Sequence, residues 1–301
     1  MLEVIKKSIR KGLGNLFGFV LFHLFGKHLL LKKLDETKIL SIYFHNPSIE
    51  VFEVIINWLV KYDFNIITLK ELQYTFDKKK SKHKRTVFIS FDDAWQGNME
   101  LINVLKKYKV PITLFVASKA VIDGQIWLNF VRKRFLELSE DITEGINVKD
   151  IKNLSFSRAV ILYEAAKKIG GIKRSIMTKS QLLDFAKVAS IGSHTVSHPI
   201  LINCKDNIVL EELNESERVL KSWGLDANNS LAYPNGSYNE NTLTLIGKTS
   251  YKYAFTTQPE FIELSKQNSN FEIPRICIPD SFGKYENLAR ISSVWTKIFK
   301  G

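Results

Sequence analysis

The chain has 301 residues, of which 45% are hydrophobic and 25% charged, so a disordered, collagen-like or disulfide-scaffold protein is excluded. Its two cysteines, Cys204 and Cys277, are too few for a disulfide framework and suit a reducing compartment without requiring one. The formal net charge of +12 favours an anionic partner such as lipid headgroups, nucleic acid or an acidic glycan.

The N-terminal segment mixes basic and apolar residues. Its apolar run Leu16–Phe25 is too short for a transmembrane helix, which needs about 20 apolar residues, and no small-residue cleavage site follows it. A helix on a membrane surface and a helix packed on the main domain are both compatible with this pattern. We expect residues 1–38 to form a basic amphipathic helical segment. The favoured location is the cytoplasm, peripheral to the inner membrane, and export with a retained N-terminal anchor is the alternative.

From residue 39 to 301 short apolar runs alternate with helical patterns, which predicts one folded domain over this range. The predicted strands are Ile39–Phe44, Asn65–Thr68, Thr86–Phe91, Ile112–Val116, Val188–Ile191, Ser230–Tyr233, Tyr253–Thr257 and Glu272–Ile278. The predicted helices are Ile49–Tyr62, Leu69–Phe76, Met99–Tyr108, Phe156–Ile169, Lys179–Lys187, Val209–Trp223 and Asn241–Lys248. About seven βα units with short connections predict an α/β fold, and favour a barrel over an open sheet. No glycine-rich phosphate loop follows a strand, which argues against nucleotide-cofactor chemistry.

Two adjacent carboxylates, Asp92 and Asp93, follow directly after the apolar run Thr86–Phe91. Functional groups of α/β folds collect at the carboxyl ends of parallel strands. Burying two carboxylates there is unfavourable unless a cation compensates their charge. Because side chains alternate along a strand, one carboxylate can bind a metal while the other faces substrate or water. An exposed turn that caps the next helix is the alternative for an isolated pair.

Two histidines, His194 and His198, follow the strand predicted at 188–191, and Pro199 disfavours a helix there. Neutral imidazoles bind zinc and other borderline metals, although a pair of surface histidines is the alternative. Together with Asp93 they form an Asp-His-His set, which leaves coordination positions open as catalytic metal sites do. The sequence therefore predicts a divalent metal, zinc first and Co, Ni, Mn or Fe otherwise, whose bound water loses its proton to Asp92.

Two further strand ends carry polar groups. The turn at residues 233–236 (YPNG) presents backbone N–H groups that can stabilise an oxyanion, although as an isolated pattern it is usually only a turn. His45 follows the first strand, and a protonated histidine there can act as general acid for a leaving amine. A structural histidine is the alternative at that position.

Three segments of the chain match a known family in the same order: SFDDAW (Ser90–Trp95), SHTVSHP (Ser193–Pro199) and LAYPNG (Leu231–Gly236). Together they resemble the polysaccharide deacetylase family, carbohydrate esterase family 4, between residues 39 and 280. The resemblance implies a distorted (β/α)7-type barrel, a divalent metal that is commonly zinc, and hydrolysis of N-acetyl or O-acetyl groups on sugars. It assigns the role of catalytic base to Asp92, metal binding to Asp93, His194 and His198, and the oxyanion N–H to Asn235.

The chain departs from the family pattern at two places. Ala232 stands where many members have an arginine that supports the base. The branch similar to the poly-N-acetylglucosamine deacetylases also has alanine there, with a later Pro-Arg segment, so we hypothesise that Arg275 supplies the cation near Asp92. Many members of the family take the general-acid histidine from a strand near the C-terminus, but no histidine follows His198 here. In the poly-N-acetylglucosamine branch that histidine comes from the first strand, so the resemblance assigns the general-acid role to His45. Asn235 also replaces a usual aromatic residue.

The expected activity is removal of N-acetyl groups from amino sugars of a polysaccharide, oligosaccharide or lipid-linked glycan. The candidate faces for sugar rings are Trp95, Trp127, Tyr233 and Tyr238, with ordinary core or rim aromatics as the alternative. A deformylase, an O-deacetylase and an inactive glycan-binding barrel are the alternative functions. A nucleic-acid partner is not expected, because only the net charge favours it and no recognised binding module is present.

Overall fold

The computed structural model of the protein describes residues 2–171, 173–266 and 269–292. Residues 1 and 293–301, the outer ends of the two predicted segments, lie outside the described residues. The chain forms two compact units. Unit 1 comprises residues up to Phe91 together with 97–113 and the chain from Thr257 onward, and unit 2 comprises residues 92–96 and 114–256.

The regular elements alternate along the chain. The strands are β1 (Lys38–Phe44), β2 (Asn65–Ile67), β3 (Thr86–Asp92), β4 (Thr113–Val116), β5 (Ser190–Ser193), β6 (Ser230–Ala232), β7 (Tyr253–Phe255), β8 (Ile262–Glu263) and β9 (Ile276–Cys277). The helices are α1 (Leu2–Leu21), α2 (Lys27–Lys33), α3 (Ile49–Lys61), α4 (Leu69–Lys78), α5 (Ile102–Tyr108), α6 (Ser118–Asp123), α7 (Trp127–Arg134), α8 (Glu140–Thr143), α9 (Phe156–Lys168), α10 (Lys179–Phe185), α11 (Asp206–Ser222), α12 (Glu240–Ile246) and α13 (Lys284–Ile291). A π-helical stretch, Phe22–Gly26, joins α1 to α2.

Unit 1 is organised around β1, which pairs in parallel with β3 and β9 and antiparallel with β8. Strand β2 adds to β3, also in parallel. Strand β3 is buried along its whole length, as expected for an apolar strand that is covered on both faces. In the β1–β3 register Tyr43 lies opposite Ser90, two residues before Asp92.

Unit 2 contains a second set of neighbouring strands in the order β7-β6-β5-β4. The pairs β5–β6 and β6–β7 are parallel, so their carboxyl ends lie at one edge. Strand β5 requires glycine at position 192, because a Cβ atom there would lie 2.4 Å from the ring of Phe115. This close approach places the residues that follow β5 beside the end of β4, where the His194 N–H donates to Val116 O at 2.9 Å.

Most predicted elements are observed, and the differences have local causes. The prediction of a strand over Glu272–Ile278 is wrong for most of that range, since the observed strand β9 covers only Ile276–Cys277. Pro274 has no N–H to donate to a neighbouring strand, which interrupts the pairing. Strand β5 starts at Ser190 because the Val188 N–H donates to Phe185 O in the turn that closes α10. The predicted helix Met99–Tyr108 begins as a 3-10 turn before α5.

The N-terminal segment is helical, as predicted. Phe22 and Leu30 are buried on one face, while Leu16 and Leu24 on another face are exposed. By length and composition, the helical stretch Gly12–Lys33 is long and apolar enough to cross a membrane. The shorter apolar run Leu16–Phe25 did not predict this.

Candidate active site

Asp93 is held at the end of β3 by a sharp backbone turn. Asp93 and Ala94 have φ angles of 76° and 59°, in the left-handed region that aspartate adopts more readily than most residues. The Asp93 N–H donates to Phe115 O at 3.0 Å, and the Trp95 indole N–H donates to Asp93 Oδ2 at 3.0 Å. These two hydrogen bonds fix the carboxylate and leave Oδ1 facing the two histidines.

His194 and His198 present their Nε2 atoms to the same oxygen of Asp93. His194 Nε2 lies 3.5 Å and His198 Nε2 3.3 Å from Asp93 Oδ1. His194 Nδ1 lies 2.7 Å from Ala232 O, which assigns the proton to Nδ1 and the lone pair to Nε2. His198 has a φ of 59°, and its N–H donates to Thr195 Oγ1 at 3.1 Å. The sequence pair at a spacing of four thus becomes a pair of imidazoles that converge on one carboxylate oxygen.

The three side chains fit a divalent cation. They are buried, and their ligand atoms all lie within 4.8 Å of one another. Asp93 Oδ1 is buried and accepts no hydrogen bond from the described residues. A buried carboxylate oxygen without a donor is unfavourable, and a cation bound to it and to two neutral imidazoles removes that cost. One carboxylate and two imidazoles are a donor set that suits zinc and leaves positions for water and substrate.

Glu212, on α11, organises the loop between the two histidines, and the sequence reasoning missed it. Its Oε2 accepts the backbone N–H groups of Val196 and Ser197, both at 2.9 Å, and its Oε1 accepts the Ser197 hydroxyl. Burial raises the pKa of the Glu212 carboxyl, and these hydrogen bonds act in the opposite direction. In the sequence, Glu212 shares the apolar stripe of α11 with Val209 and Leu213. A carboxylate in that position could have identified Glu212 as a residue with a buried partner.

The turn after β6 carries Tyr233, Asn235 and Tyr238. Asn235 is exposed with a φ of 58°, and its side-chain amide donates to Ser237 Oγ at 2.9 Å. Tyr233 is 1% exposed and stacks on the half-buried Tyr238, with ring centroids 5.2 Å apart. The exposed face of this aromatic pair therefore belongs to Tyr238.

Trp127 contacts the loop that carries the histidines, and its indole N–H donates to His198 O at 2.7 Å. It is 9% exposed, so the prediction of an open stacking face for sugar is corrected to a buried support for the loop. Trp127 also lines a cavity of about 320 Å³ within unit 2, together with Pro199 and Tyr163. Trp95, by contrast, is partly exposed while it holds Asp93.

Two predicted site residues, His45 and Arg275, lie in unit 1, whereas the Asp-His-His group lies in unit 2. His45 is partly exposed after β1, with its ring 5.5 Å from that of Tyr43. Arg275 is fully buried, lies 4.4 Å from the Tyr43 ring centroid and donates to Ser90 Oγ at 3.0 Å. Asp92, which begins the unit 2 segment, is 2% exposed.

The sequence profile of the polysaccharide deacetylase family matches residues 79–254. This match covers more than half of the chain, and the chain belongs to the polysaccharide deacetylase family. The poly-beta-1,6-N-acetyl-D-glucosamine N-deacetylase of Staphylococcus aureus (strain MSSA476) is 28% identical over 255 residues, which cover 79% of this chain and 73% of that protein. The predicted family and enzyme class, a carbohydrate deacetylase that hydrolyses an amide, are confirmed.

Solved structures show the same fold. The Streptococcus pyogenes deacetylase PplD in complex with acetate has a TM-score of 0.62 and 17% identity, and the match covers 86% of this chain and 99% of that chain. IcaB from Ammonifex degensii has a TM-score of 0.58 and 16% identity, over 85% of this chain and 98% of that chain. The predicted fold class is thereby confirmed. The family is metal-dependent, and the buried group of Asp93, His194 and His198 can hold the ion.

Proposed function

We propose that this protein removes N-acetyl groups from the N-acetylglucosamine residues of a β-1,6-linked polysaccharide. The family supplies the reaction class, and the named Staphylococcus aureus relative acts on that polymer. Water attacks the acetyl carbonyl carbon, the C–N bond breaks, and the products are acetate and a free amino sugar.

One observation carries the catalytic part of the proposal: Asp93 Oδ1 is buried between two imidazole Nε2 atoms at 3.3 and 3.5 Å. We assign Asp93, His194 and His198 as the metal ligands, with zinc as the metal and Co, Ni, Mn or Fe as alternatives. A bound divalent ion supplies Lewis-acid polarisation of the carbonyl and lowers the pKa of water.

The remaining steps belong to side chains and backbone groups of the chain. We assign Asp92 as the base that takes the proton of the attacking water. The Asn235 N–H donates to the oxygen that becomes negatively charged in the transition state. His45 gives a proton to the leaving amine, so that the sugar departs neutral. We assign to Arg275, whose guanidinium donates to Ser90 Oγ, the role of stabilising the negative charge of Asp92.

The glycan is held next to these groups by aromatic and polar surface. Tyr238 and Trp95 are the partly exposed aromatic side chains among the predicted sugar-binding residues, and we assign the stacking role to them. Tyr233 supports the ring of Tyr238 from beneath. An alanine at Tyr238 is expected to raise KM more than it lowers kcat, since stacking contributes equally to ground-state and transition-state binding.

Acetate release from a panel of N-acetylated glycans tests the proposal. Poly-β-1,6-N-acetylglucosamine is expected to release acetate with zinc and none with a chelator, whereas chitin oligomers release less. Asp92→Asn and Asp93→Asn are expected to abolish release, and Asp184→Asn, at an exposed ion pair with Lys187, is the matched control. An Asp93→Asn enzyme with full metal content and full activity would show that the ligand assignment is wrong.

The same panel separates the alternatives. An O-acetylated and an N-formylated sugar in the panel test O-deacetylation and deformylation, whose chemistry at the carbonyl is nearly the same. Glycan binding without any acetate release, from protein loaded with metal, is the result expected of an inactive glycan-binding protein. Elemental analysis of the purified protein identifies the metal.

We further propose that residues 1–38 bring the enzyme into contact with a membrane, on the cytoplasmic side, as a peripheral protein. The apolar stretch Gly12–Lys33 supports membrane contact. Export with a retained N-terminal anchor is the alternative location. Fractionation of cells that express the full chain, followed by protease treatment of intact cells, distinguishes the two locations.

A further inference from the structure

The N-terminal helix of unit 1, taken as α1, the π-helical stretch and α2 together, packs closely on α13 and on the residue after it. A Cβ atom at position 18 would lie 2.5 Å from Glu286 N, and one at Gly26 would lie 2.6 Å from Ser292 Oγ. Asn15 Oδ1 accepts the backbone N–H of Tyr285 at 2.9 Å. The glycines let the two helices approach closely, so α1 and α13 form one packed pair.

The packed pair carries charge at its contact. The Glu286 side chain is 1% exposed, with Arg290 Nη2 at 3.2 Å and Arg10 Nη2 at 3.8 Å from its Oε1. The guanidinium of Arg10 lies 4.4 Å from the ring centroid of Phe282. Charged groups are strongly disfavoured in the hydrocarbon centre of a bilayer, so this pair is not suited to cross one.

The opposite face of the N-terminal helix is a row of large apolar side chains in solvent. Leu13, Leu16, Val20 and Leu24 are 64%, 64%, 43% and 65% exposed. Their spacing of three and four residues puts them on one stripe. Exposed apolar surface of this extent marks a surface that contacts a partner or a membrane.

Basic side chains accompany the apolar stripe and indicate what covers it. Lys32 is exposed, and the ammonium group of Lys27 lies 4.3 Å from the ring centroid of Tyr62. An apolar stripe flanked by basic residues matches the acyl chains and anionic headgroups of a membrane surface. A second copy of the same helix would bring these positive charges together, which disfavours a dimer through this face.

We infer that the N-terminal helix lies in the plane of an anionic bilayer with the stripe of Leu13, Leu16, Val20 and Leu24 towards the acyl chains, while its other face stays packed on α13. The enzyme is thus a monotopic protein rather than one anchored by a transmembrane span. This inference rests on the proposed membrane contact and adds its mode, its contact face and its lipid class.

Flotation of the full chain with vesicles tests the contact. We expect binding to vesicles of phosphatidylcholine with phosphatidylglycerol and at least tenfold weaker binding to phosphatidylcholine alone. Leu16→Glu combined with Leu24→Glu is expected to reduce binding at least tenfold. Leu136→Glu, at a leucine of unit 2 that is 98% exposed, is the matched control and is expected to bind as wild type. Wild-type protein that stays with the soluble fraction, or that forms a dimer lost in the double variant, would overturn the membrane contact itself.

A labelling experiment on the same vesicles tests the in-plane mode separately. Gly12→Cys and Lys32→Cys are introduced singly in a Cys204→Ser, Cys277→Ser background, since both positions are exposed at opposite ends of the apolar stretch. A membrane-impermeant maleimide is expected to label both cysteines from outside. Protection of one of the two until the vesicles are lysed would mean that the helix crosses the bilayer, which would overturn the mode while leaving membrane contact and deacetylase activity intact.

Discussion

Glu212 accepts the backbone N–H of Ser197 at 2.9 Å and so holds the residue that immediately precedes His198, a histidine of the candidate metal site. The same carboxylate accepts the N–H of Val196 at 2.9 Å, which fixes both peptide groups in the middle of the loop. The loop turns through left-handed backbone at Thr195 and His198, a conformation that needs such support. We therefore propose that Glu212 is a positioning residue for the two histidines of the candidate metal site.

Removal of this support is expected to weaken metal binding. Glu212→Ala is expected to lower the zinc affinity about 10- to 100-fold, as for other groups that orient metal ligands. Glu212→Gln keeps one acceptor oxygen for the loop and is expected to retain part of the affinity. Chelator competition measures the affinity, and Glu215→Gln, which only breaks an ion pair with Arg218, is the control. Equal zinc affinity in a folded Glu212→Ala protein would rule out the positioning role.

Metal removal is expected to lower thermal stability. Because the ligands converge only in the folded chain, zinc at a thousandfold excess over its Kd stabilises that state by about 4 kcal/mol. Calorimetry with zinc and with a chelator is expected to show a Tm difference on the order of 10 °C. His198→Ala is expected to lose the difference, and His28→Ala, at an exposed histidine, to keep it. A metal-dependent shift that persists in His198→Ala would place the ion elsewhere.

Arg275 is expected to contribute to turnover beyond its hydrogen bond to Ser90. Arg275→Ala removes the buried guanidinium and is expected to lower kcat at least about tenfold, equivalent to about 1.4 kcal/mol of transition-state stabilisation. Ser90→Ala removes one hydrogen bond, worth about 1 kcal/mol of stability, and leaves the charge in place. Steady-state kinetics and urea unfolding of both variants distinguish the two effects. Unchanged turnover in folded Arg275→Ala would refute the role.

The contact between Gly192 and Phe115 is expected to tolerate no side chain. Gly192→Ala places a methyl group 2.4 Å from two ring carbons of Phe115, and overpacking of this kind costs about 1–3 kcal/mol. Gly247→Ala is the matched control, since its nearest atoms would be 3.5 Å away. Urea midpoints measure both changes. A Gly192→Ala protein as stable as wild type would show that Phe115 moves aside without cost.

Local sequence patterns predicted much of the architecture and the grouping of Asp93 with the two histidines. Apolar runs marked β1, β3 and β4, because a buried strand of a parallel sheet must be apolar on both faces. Asp93 and the pair His194 and His198 were predicted because polar residues at strand ends are rare unless they serve a site. The weak strand around Pro274 was overestimated, since an apolar pattern does not reveal which N–H groups find a partner.

The remaining features depend on contacts that the sequence pattern does not contain. In the sequence, Glu212 is one of several acidic residues on α11. Only the folded chain places it next to the 195–198 loop, where it accepts the Val196 N–H. From the sequence Trp127 is a candidate sugar-stacking residue, whereas in the structure it is buried and its indole N–H donates to His198 O. The sequence by itself determined which side chains are able to bind a metal and which segments form strands, because residue type and local spacing set both. Only the tertiary structure decided which groups hold the 195–198 loop and which face of the N-terminal helix stays exposed, because burial is a property of distant segments packed together.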